Sequence, residues 1–103
     1  MTYRNRKLLD LAHDAPCFLM ISGKCTSAGF VSGECVPCHS DQQIDGRGTG
    51  HKSHDCLAIP GCVNCHEKFT MAVLGRTVYE HVHNNSLKRY LVWLWENEKV
   101  RVA

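Results

Sequence analysis

The sequence has no apolar run long enough to span a bilayer, which requires about 20 consecutive apolar residues. No apolar stretch typical of a secretory signal follows Met1, so we expect a cytoplasmic protein. Neither sign of charge is in large excess: the formal net charge is +2 over 103 residues. Nucleic-acid binding would therefore need a local basic patch, for which Arg4, Arg6 and Lys7 are one candidate. Internal repeats and low-complexity tracts are also missing, which predicts a single domain over 1–103.

Cysteine and histidine, by contrast, are abundant, with seven of each in the chain. A reducing cytoplasm disfavours disulfides, and an odd number of cysteines fits a disulfide scaffold poorly. We therefore interpret the cysteines as metal ligands. A structural metal adds folding free energy that the modest core of so short a chain does not supply alone.

The pattern of apolar and turn-forming residues predicts a small α+β fold. A short helix is expected over 5–14, ended by Pro16, and two short strands around a turn at 21–24 are expected over 17–25. A loop follows over 26–33. Further strands are predicted over 34–39 and 57–59, the second ended by Pro60 and Gly61, with an exposed glycine-rich loop over 45–55 between them.

Two helices are predicted in the remaining chain. The first covers 63–74, with Phe69, Val73 and Leu74 as its buried side and Gly75 closing it. The second covers 77–97. Leucines spaced four and three residues apart, flanked by two aromatic residues, mark the side that we expect to pack in the core: Leu87, Leu91, Leu94, Tyr90 and Trp95.

The cysteine spacing is typical of a zinc site. Cys62 and Cys65 form a C-x-x-C pair, a spacing that turns two thiolates toward one ion. Cys17 and Cys25 flank the predicted turn, and a hairpin would bring them together as the other half of a tetrahedron. Four thiolates would close the site, which makes it structural rather than catalytic.

Two other pairings fit the same residues. Cys35 and Cys38 form a second C-x-x-C pair, and with Cys62 and Cys65 they would make a zinc ribbon. Each pair is also followed by histidine, in the segments CVPCH and CVNCH. C-x-x-C-H is the attachment motif of c-type haem, so a dihaem electron carrier is a further hypothesis. Haem attachment of this kind generally takes place outside the cytosol, and we expect no haem.

Histidine and aspartate follow an order that suggests catalysis. His39 ends a predicted strand, Asp55 precedes the next strand, and His66 begins a helix beside the C-x-x-C pair. A strand, loop, strand and helix that carry His, Asp and His in this order are typical of a ββα-metal nuclease site. A neutral imidazole can accept a proton from water, and a divalent ion neutralises charge on a phosphate. Arg47 and Lys52, in the intervening loop, could hold phosphates.

These motifs together resemble a family of small bacteriophage and prophage HNH-like nucleases. The family pattern is Cys-x7-Cys, a His-Ser-Asn-Gln-like segment, a Gly-Lys-Gly-x-Gly-x-Lys loop, an Asp and a Cys-x-x-Cys-His. The corresponding segments here are CFLMISGKC and CHSDQQIDGRGTGHKSHDCLAIPGCVNCHEKF. The likeness extends over about residues 5 to 100 and includes a Leu-Trp-Glu segment at 94–96.

The resemblance implies a zinc-stabilised ββα-metal (HNH-like) core with a short β-hairpin and a C-terminal helix. It implies a structural zinc on the four cysteines that match the family positions: Cys17, Cys25, Cys62 and Cys65. It further implies that His39 is the general base, Asp55 the central residue, and His66 a ligand of catalytic magnesium or manganese. The implied partner is phage DNA in a bacterial host cell, and the implied process is DNA processing or recombination.

The chain departs from the family at several positions. Asp41 stands where the family has Asn, and Cys38 directly precedes the candidate base. Thr70 stands four residues past His66, where related helices carry an acidic metal ligand. Despite these departures, the leading hypothesis is a metal-dependent DNA endonuclease that hydrolyses phosphodiesters. Thr70 favours the alternative, a catalytically silent zinc module that binds DNA or a protein. We expect a monomer or a weak homodimer.

Overall fold

The longest element of the fold is a helix near the C-terminus, against which the shorter elements pack. The computed structural model describes residues 3–23, 25, 35–48 and 52–102. Its helices and strands, in chain order, are α1 (Arg6–Asp10), β1 (Val36–Cys38), β2 (Ile59–Gly61), α2 (Val63–Lys68), α3 (Met71–Leu74) and α4 (Arg76–Glu96). Short 3-10 helices cover Leu11–Asp14, Gln43–Asp45 and Asp55–Leu57. The predicted α+β class, with an antiparallel two-stranded hairpin and a C-terminal helix, is confirmed.

The first helix begins where its sequence predicts. Asn5 caps α1, its side-chain oxygen accepting a hydrogen bond from the Leu8 N–H at 3.0 Å. The 3-10 helix Leu11–Asp14 continues it and buries Ala12. Pro16 cannot extend the helical hydrogen bonding, so the chain leaves the helix before reaching Cys17.

The two strands pair antiparallel, with Val36 opposite Gly61 and Cys38 opposite Ile59. β1 lies inside the predicted segment 34–39. β2 lies two residues later than predicted, because the 3-10 helix Asp55–Leu57 occupies the start of the predicted segment. Pro60 is part of the strand rather than its end. Its carbonyl faces away from β1 and accepts a hydrogen bond from the Phe18 N–H at 2.9 Å, as the edge position of a proline allows.

The strands predicted over 17–25 are wrong for the residues that the structure describes there, 17–23 and 25. Phe18 makes one backbone hydrogen bond to β2, but Met20 has φ 47°, a left-handed conformation that interrupts an extended chain. Lys24, within the predicted turn, and the loop predicted over 26–33 lie outside the described residues. So do residues 49–51 of the loop predicted over 45–55.

The helix predicted over 63–74 is two helices. α2 ends at Lys68, and Thr70 begins α3 by accepting a hydrogen bond from the Val73 N–H on its hydroxyl oxygen at 3.1 Å. This N-cap competes with helix continuation. Phe69, between α2 and α3, is buried as predicted. Val73 is 61% exposed, because α3 does not continue the helical periodicity of α2. Gly75 ends α3 with φ 79°, as predicted for glycine there.

The main core lies where the hairpin, α2 and the start of α4 meet. Its buried members are Cys17, Leu19, Cys35, Cys38, Ile59, Cys62, Cys65, Phe69 and Tyr79. On the last turns of α4, Tyr90 and Leu94 pack with Ala15 in a second cluster. The predicted leucine stripe is only partly correct. Tyr90 and Leu94 are buried as predicted. Leu91 and Trp95 are about half exposed, because each follows a buried residue on the helix and lies at the edge of the packed side.

At Gly61 the backbone lies close to two side chains of this core. A Cβ added there would lie 2.6 Å from Leu19 Cδ1 and 2.9 Å from Cys38 Sγ. We expect Gly61→Ala to lower the free energy of unfolding by about 1–3 kcal/mol through overpacking. Urea denaturation of both variants would measure the change. Gly48→Ala is the control, because no atom of the described residues lies within 4 Å of the added Cβ, and equal midpoints for the two variants would contradict this packing.

Candidate metal centre and neighbouring cavity

Four cysteines from separate parts of the chain meet at one point. Their sulfur atoms all lie within 4.8 Å of one another: Cys17, Cys25, Cys62 and Cys65. Cys25 Sγ lies 3.6 Å from Cys17 Sγ, 3.6 Å from Cys62 Sγ and 3.2 Å from Cys65 Sγ. None of the four forms a disulfide. Cys62 caps α2 and Cys65 lies in its first turn, whereas Cys17 and Cys25 belong to the chain between the 3-10 helix Leu11–Asp14 and β1.

This spacing suits a tetrahedral metal ion. Zinc–sulfur bonds of about 2.3 Å in a tetrahedron separate the sulfurs by roughly 3.8 Å, close to the observed distances. The four cysteines can therefore hold a metal ion such as zinc. All four positions of such an ion would be filled by thiolates, so no position would be open for a substrate or water.

Backbone N–H groups donate hydrogen bonds to two of these four sulfur atoms, and such bonds favour a thiolate. The Cys62 N–H donates to Cys17 Sγ at 3.3 Å, and the Ile21 N–H donates to Cys65 Sγ at 3.4 Å. Burial alone would raise the pKa of Cys65, but hydrogen bonds from Ser22 and from its other neighbours lower it to about 6. Burial and hydrogen bonds with the three adjacent sulfurs raise the pKa of Cys25, and burial also raises the pKa of Cys17. A bound divalent cation would deprotonate the thiols that coordinate it.

The other cysteines stand apart from this group. Cys35 and Cys38 are buried in the core, and Cys56 is exposed. Burial raises the pKa of the Cys38 thiol. The ribbon pairing of Cys35 and Cys38 with the α2 cysteines is not the one that the structure brings together, because the sulfurs of Cys62 and Cys65 meet those of Cys17 and Cys25 instead.

A histidine–aspartate pair lies beyond the other end of the hairpin. His39, directly after β1, lies with Nε2 2.9 Å from Asp55 Oδ1. Asp55 is 4% exposed, and its oxygens also accept hydrogen bonds from Arg4 Nη1 at 2.8 Å and from the Asn5 N–H at 2.6 Å. Burial alone would raise the pKa of Asp55, but the hydrogen bonds from His39, Asn5 and Arg4 outweigh it and lower the pKa to about 2.

The charge state of Asp55 determines which nitrogen of His39 carries hydrogen. An ionised carboxylate is only an acceptor, so Nε2 of His39 must be the donor. In a neutral ring the other nitrogen, Nδ1, is then a hydrogen-bond acceptor. Within the described part of the chain, Nδ1 has no hydrogen-bond partner. It is therefore available to accept a proton.

His39 lines a cavity of about 290 Å³ together with most of the residues that the sequence singles out. The lining residues are Pro37, His39, Asp41, Arg47, Lys52, His66, Phe69 and Thr70. His66 is exposed on α2, and Arg47 lies with Nη1 3.6 Å from Asp41 Oδ1. The structure thus brings His39, His66, Arg47 and Lys52 to one cavity. Asp55 is not among the lining residues but forms a hydrogen bond with His39.

Sequence reasoning missed the contribution of the N-terminal segment. Arg4 and Asn5 bind Asp55 across about 50 positions of sequence. Such a long-range pairing has no signature in spacing or composition. Of the basic residues near the N-terminus, Arg4 is thus engaged with the site, whereas Arg6 is 89% exposed and pairs with Asp10 in the next turn of α1.

None of the helices in the described part of the chain is long and apolar enough to cross a membrane. Comparison with known proteins gives no relative: no family model, no curated protein and no solved structure matches the chain.

Proposed function

We propose that this protein is a metal-dependent DNA endonuclease of the HNH type, which hydrolyses phosphodiester bonds in the cytoplasm of a bacterial host. The observation that carries the proposal is the pairing of His39 with Asp55 at a cavity that His66 also lines. The short hairpin followed by α2 is the strand, strand and helix order that a ββα-metal core requires. A structural zinc on the four cysteines would anchor α2, and thereby His66, to the segment that carries Cys17 and Cys25.

His39 has the properties of a general base. Asp55 fixes the ring by accepting the hydrogen of Nε2, which leaves Nδ1 to take a proton from water. Asp55 itself is buried and ionised, so its role is to orient the imidazole and stabilise the imidazolium that forms. This assignment agrees with the requirement that a base be held in one tautomer.

The cavity also carries positive charge that suits a phosphate. Arg47 and Lys52 supply positive charge near His39, and His66 would hold a divalent ion through a ring nitrogen. Magnesium or manganese bound there would neutralise charge on the phosphate and on the leaving oxygen. The cavity is open to solvent, so a phosphate on the surface of a DNA duplex could reach it.

A plasmid-nicking assay tests the proposal. We expect the wild-type protein to relax supercoiled plasmid in magnesium or manganese, and His39→Ala to lower the rate by about a hundredfold or more, because a general base contributes at least that much. His81→Ala, on the exposed side of α4, is the control and should nick as the wild type does. Equal nicking by His39→Ala would exclude His39 as the base. Absence of nicking over a range of metals and DNA substrates would refute the proposed endonuclease activity.

A second candidate is a catalytically silent zinc module that binds DNA or a protein. Thr70 favours it, because its neutral hydroxyl caps α3 where related helices place an acidic metal ligand. Asp41, the acid among the described lining residues, accepts a hydrogen bond from the Met71 N–H at 3.3 Å and faces Arg47. Fluorescence anisotropy with labelled duplex separates the candidates: binding that His39→Ala leaves unchanged, without nicking by either protein, supports the silent module.

A further inference from the structure

Arg4 joins the N-terminal segment to the segment that ends at Asp55. Its Nη1 donates to Ser53 O and to Asp55 Oδ1, each at 2.8 Å, and its Nη2 donates to Lys52 O at 2.7 Å. A guanidinium group can make these three bonds at once because its donors form a rigid planar fork. The side chain thus touches both the carboxylate that holds His39 and the backbone of Lys52.

Backbone hydrogen bonds on either side of Arg4 hold it in place. Tyr3 O accepts from the Asp55 N–H at 2.9 Å, and the Tyr3 N–H donates to His54 Nδ1 at 2.8 Å. The Asn5 N–H donates to Asp55 Oδ2 at 2.6 Å. Each of the residues 3–5 therefore forms at least one hydrogen bond with the segment 52–55, and these bonds fix the backbone of Arg4 beside Asp55.

Arg4 and His39 share one oxygen of a buried carboxylate. Both approach Asp55 Oδ1, at 2.8 Å and 2.9 Å, and Asp55 is 4% exposed. The single negative charge of Asp55 is therefore balanced by the permanent charge of Arg4. Without Arg4, the nearest group able to balance it would be His39, which could do so only by taking up a proton and losing its capacity as a base.

We propose that Arg4 is a positioning residue of the His39 site, which neutralises Asp55 so that His39 keeps its Nδ1 lone pair, and which holds Lys52 at the cavity wall. The effect on catalysis rests on the proposed function, whereas the effect on the proton of His39 does not. The charged and titratable groups around His39, from all the described elements near it, are Arg4, Asp41, Arg47, Lys52, Asp55 and His66. Of these, Arg4 is the cation in contact with the Asp55 carboxylate.

Nitrogen-15 NMR of the histidine rings in the zinc-reconstituted protein tests the proposal without any need for activity. At a given pH, we expect Arg4→Gln to raise the ratio of protonated to neutral His39 by about tenfold. Arg4→Lys keeps the charge and should stay near the wild type. The matched control is Arg6→Gln, which removes an exposed arginine two residues away and should change nothing. An Arg4→Gln ratio within twofold of the wild type, or an equal rise in Arg4→Lys, would overturn the charge-balancing role.

The double variant Arg4→Gln/Asp55→Asn keeps the test decisive if Arg4→Gln alone does not fold. It removes both charges, so the His39 ratio should return to near the wild-type value. A ratio that stays about tenfold above the wild type in the double variant would overturn the proposal.

The pH dependence of nicking supplies the catalytic arm. We expect Arg4→Gln to nick about tenfold more slowly than the wild type on the acid side of the profile and to approach it at higher pH. A purely structural defect would lower the rate by the same factor at every pH, and that outcome would overturn the proposed role in catalysis. If the wild type itself does not nick, the proposed function fails while the NMR result still decides the role of Arg4.

Discussion

Cys65→Ser is expected to abolish metal retention and cooperative folding. Cys65 is fully buried and belongs both to the group of four cysteines and to the main core. Structural zinc contributes about 10–16 kcal/mol in small zinc-binding peptides, which is comparable with the entire stability of a small domain. Replacing one thiolate with a hydroxyl removes most of this free energy. Metal content by mass spectrometry and thermal unfolding by circular dichroism would measure the two losses.

Two other cysteines provide matched controls for this experiment. Cys56→Ser changes an exposed thiol and should retain one zinc per chain and the wild-type melting curve. Cys38→Ala changes a buried thiol outside the group of four and should also retain one zinc. Loss of zinc from Cys38→Ala, with retention by Cys17→Ser, would instead support the ribbon pairing. A wild-type protein that holds no zinc after reconstitution would refute the metal centre.

Asp55→Ala is expected to lower the free energy of unfolding by about 3 kcal/mol. The substitution leaves His39, the Asn5 N–H and one donor of Arg4 without their acceptor. Removing one partner of a buried ion pair costs about 3–5 kcal/mol, and we expect the lower end because Arg4 is 44% exposed and water screens part of the charge. Urea denaturation at pH 7 would measure it. Asp10→Ala, at an exposed pair with Arg6, should change stability little.

The pH dependence of stability gives an independent check on the same residue. The pKa of Asp55 is lowered from 3.8 to about 2 in the folded chain. Ionised Asp55 therefore stabilises the fold above the unfolded pKa, and this contribution of about 2 kcal/mol is lost as the pH falls through the folded value. Acid also weakens metal binding by cysteine ligands, so the informative quantity is the difference between the wild type and Asp55→Asn. A difference that stays constant from pH 6 to pH 2 would contradict the lowered pKa.

Local patterns in the sequence predicted much of the fold. Asn5 followed by apolar residues and Pro16 located the first helix, and Gly75 located the junction before the last one, because capping and chain reversal depend on neighbouring residues. The break at Thr70 was missed, since a threonine within an apolar pattern is compatible with both a continued helix and a cap. The exposure of Leu91 was also missed, since the stripe does not say which side the rest of the chain covers.

The sequence by itself determined that this is a cysteine- and histidine-rich α+β chain, with a C-x-x-C pair at a helix start and three candidate catalytic residues in order. Spacing left open whether Cys17 and Cys25 or Cys35 and Cys38 complete the metal centre. Only the tertiary structure decided that, and only it showed Arg4 on Asp55. The physical reason is that ligand sets and buried ion pairs depend on which distant segments meet, and no local preference of the chain encodes that meeting.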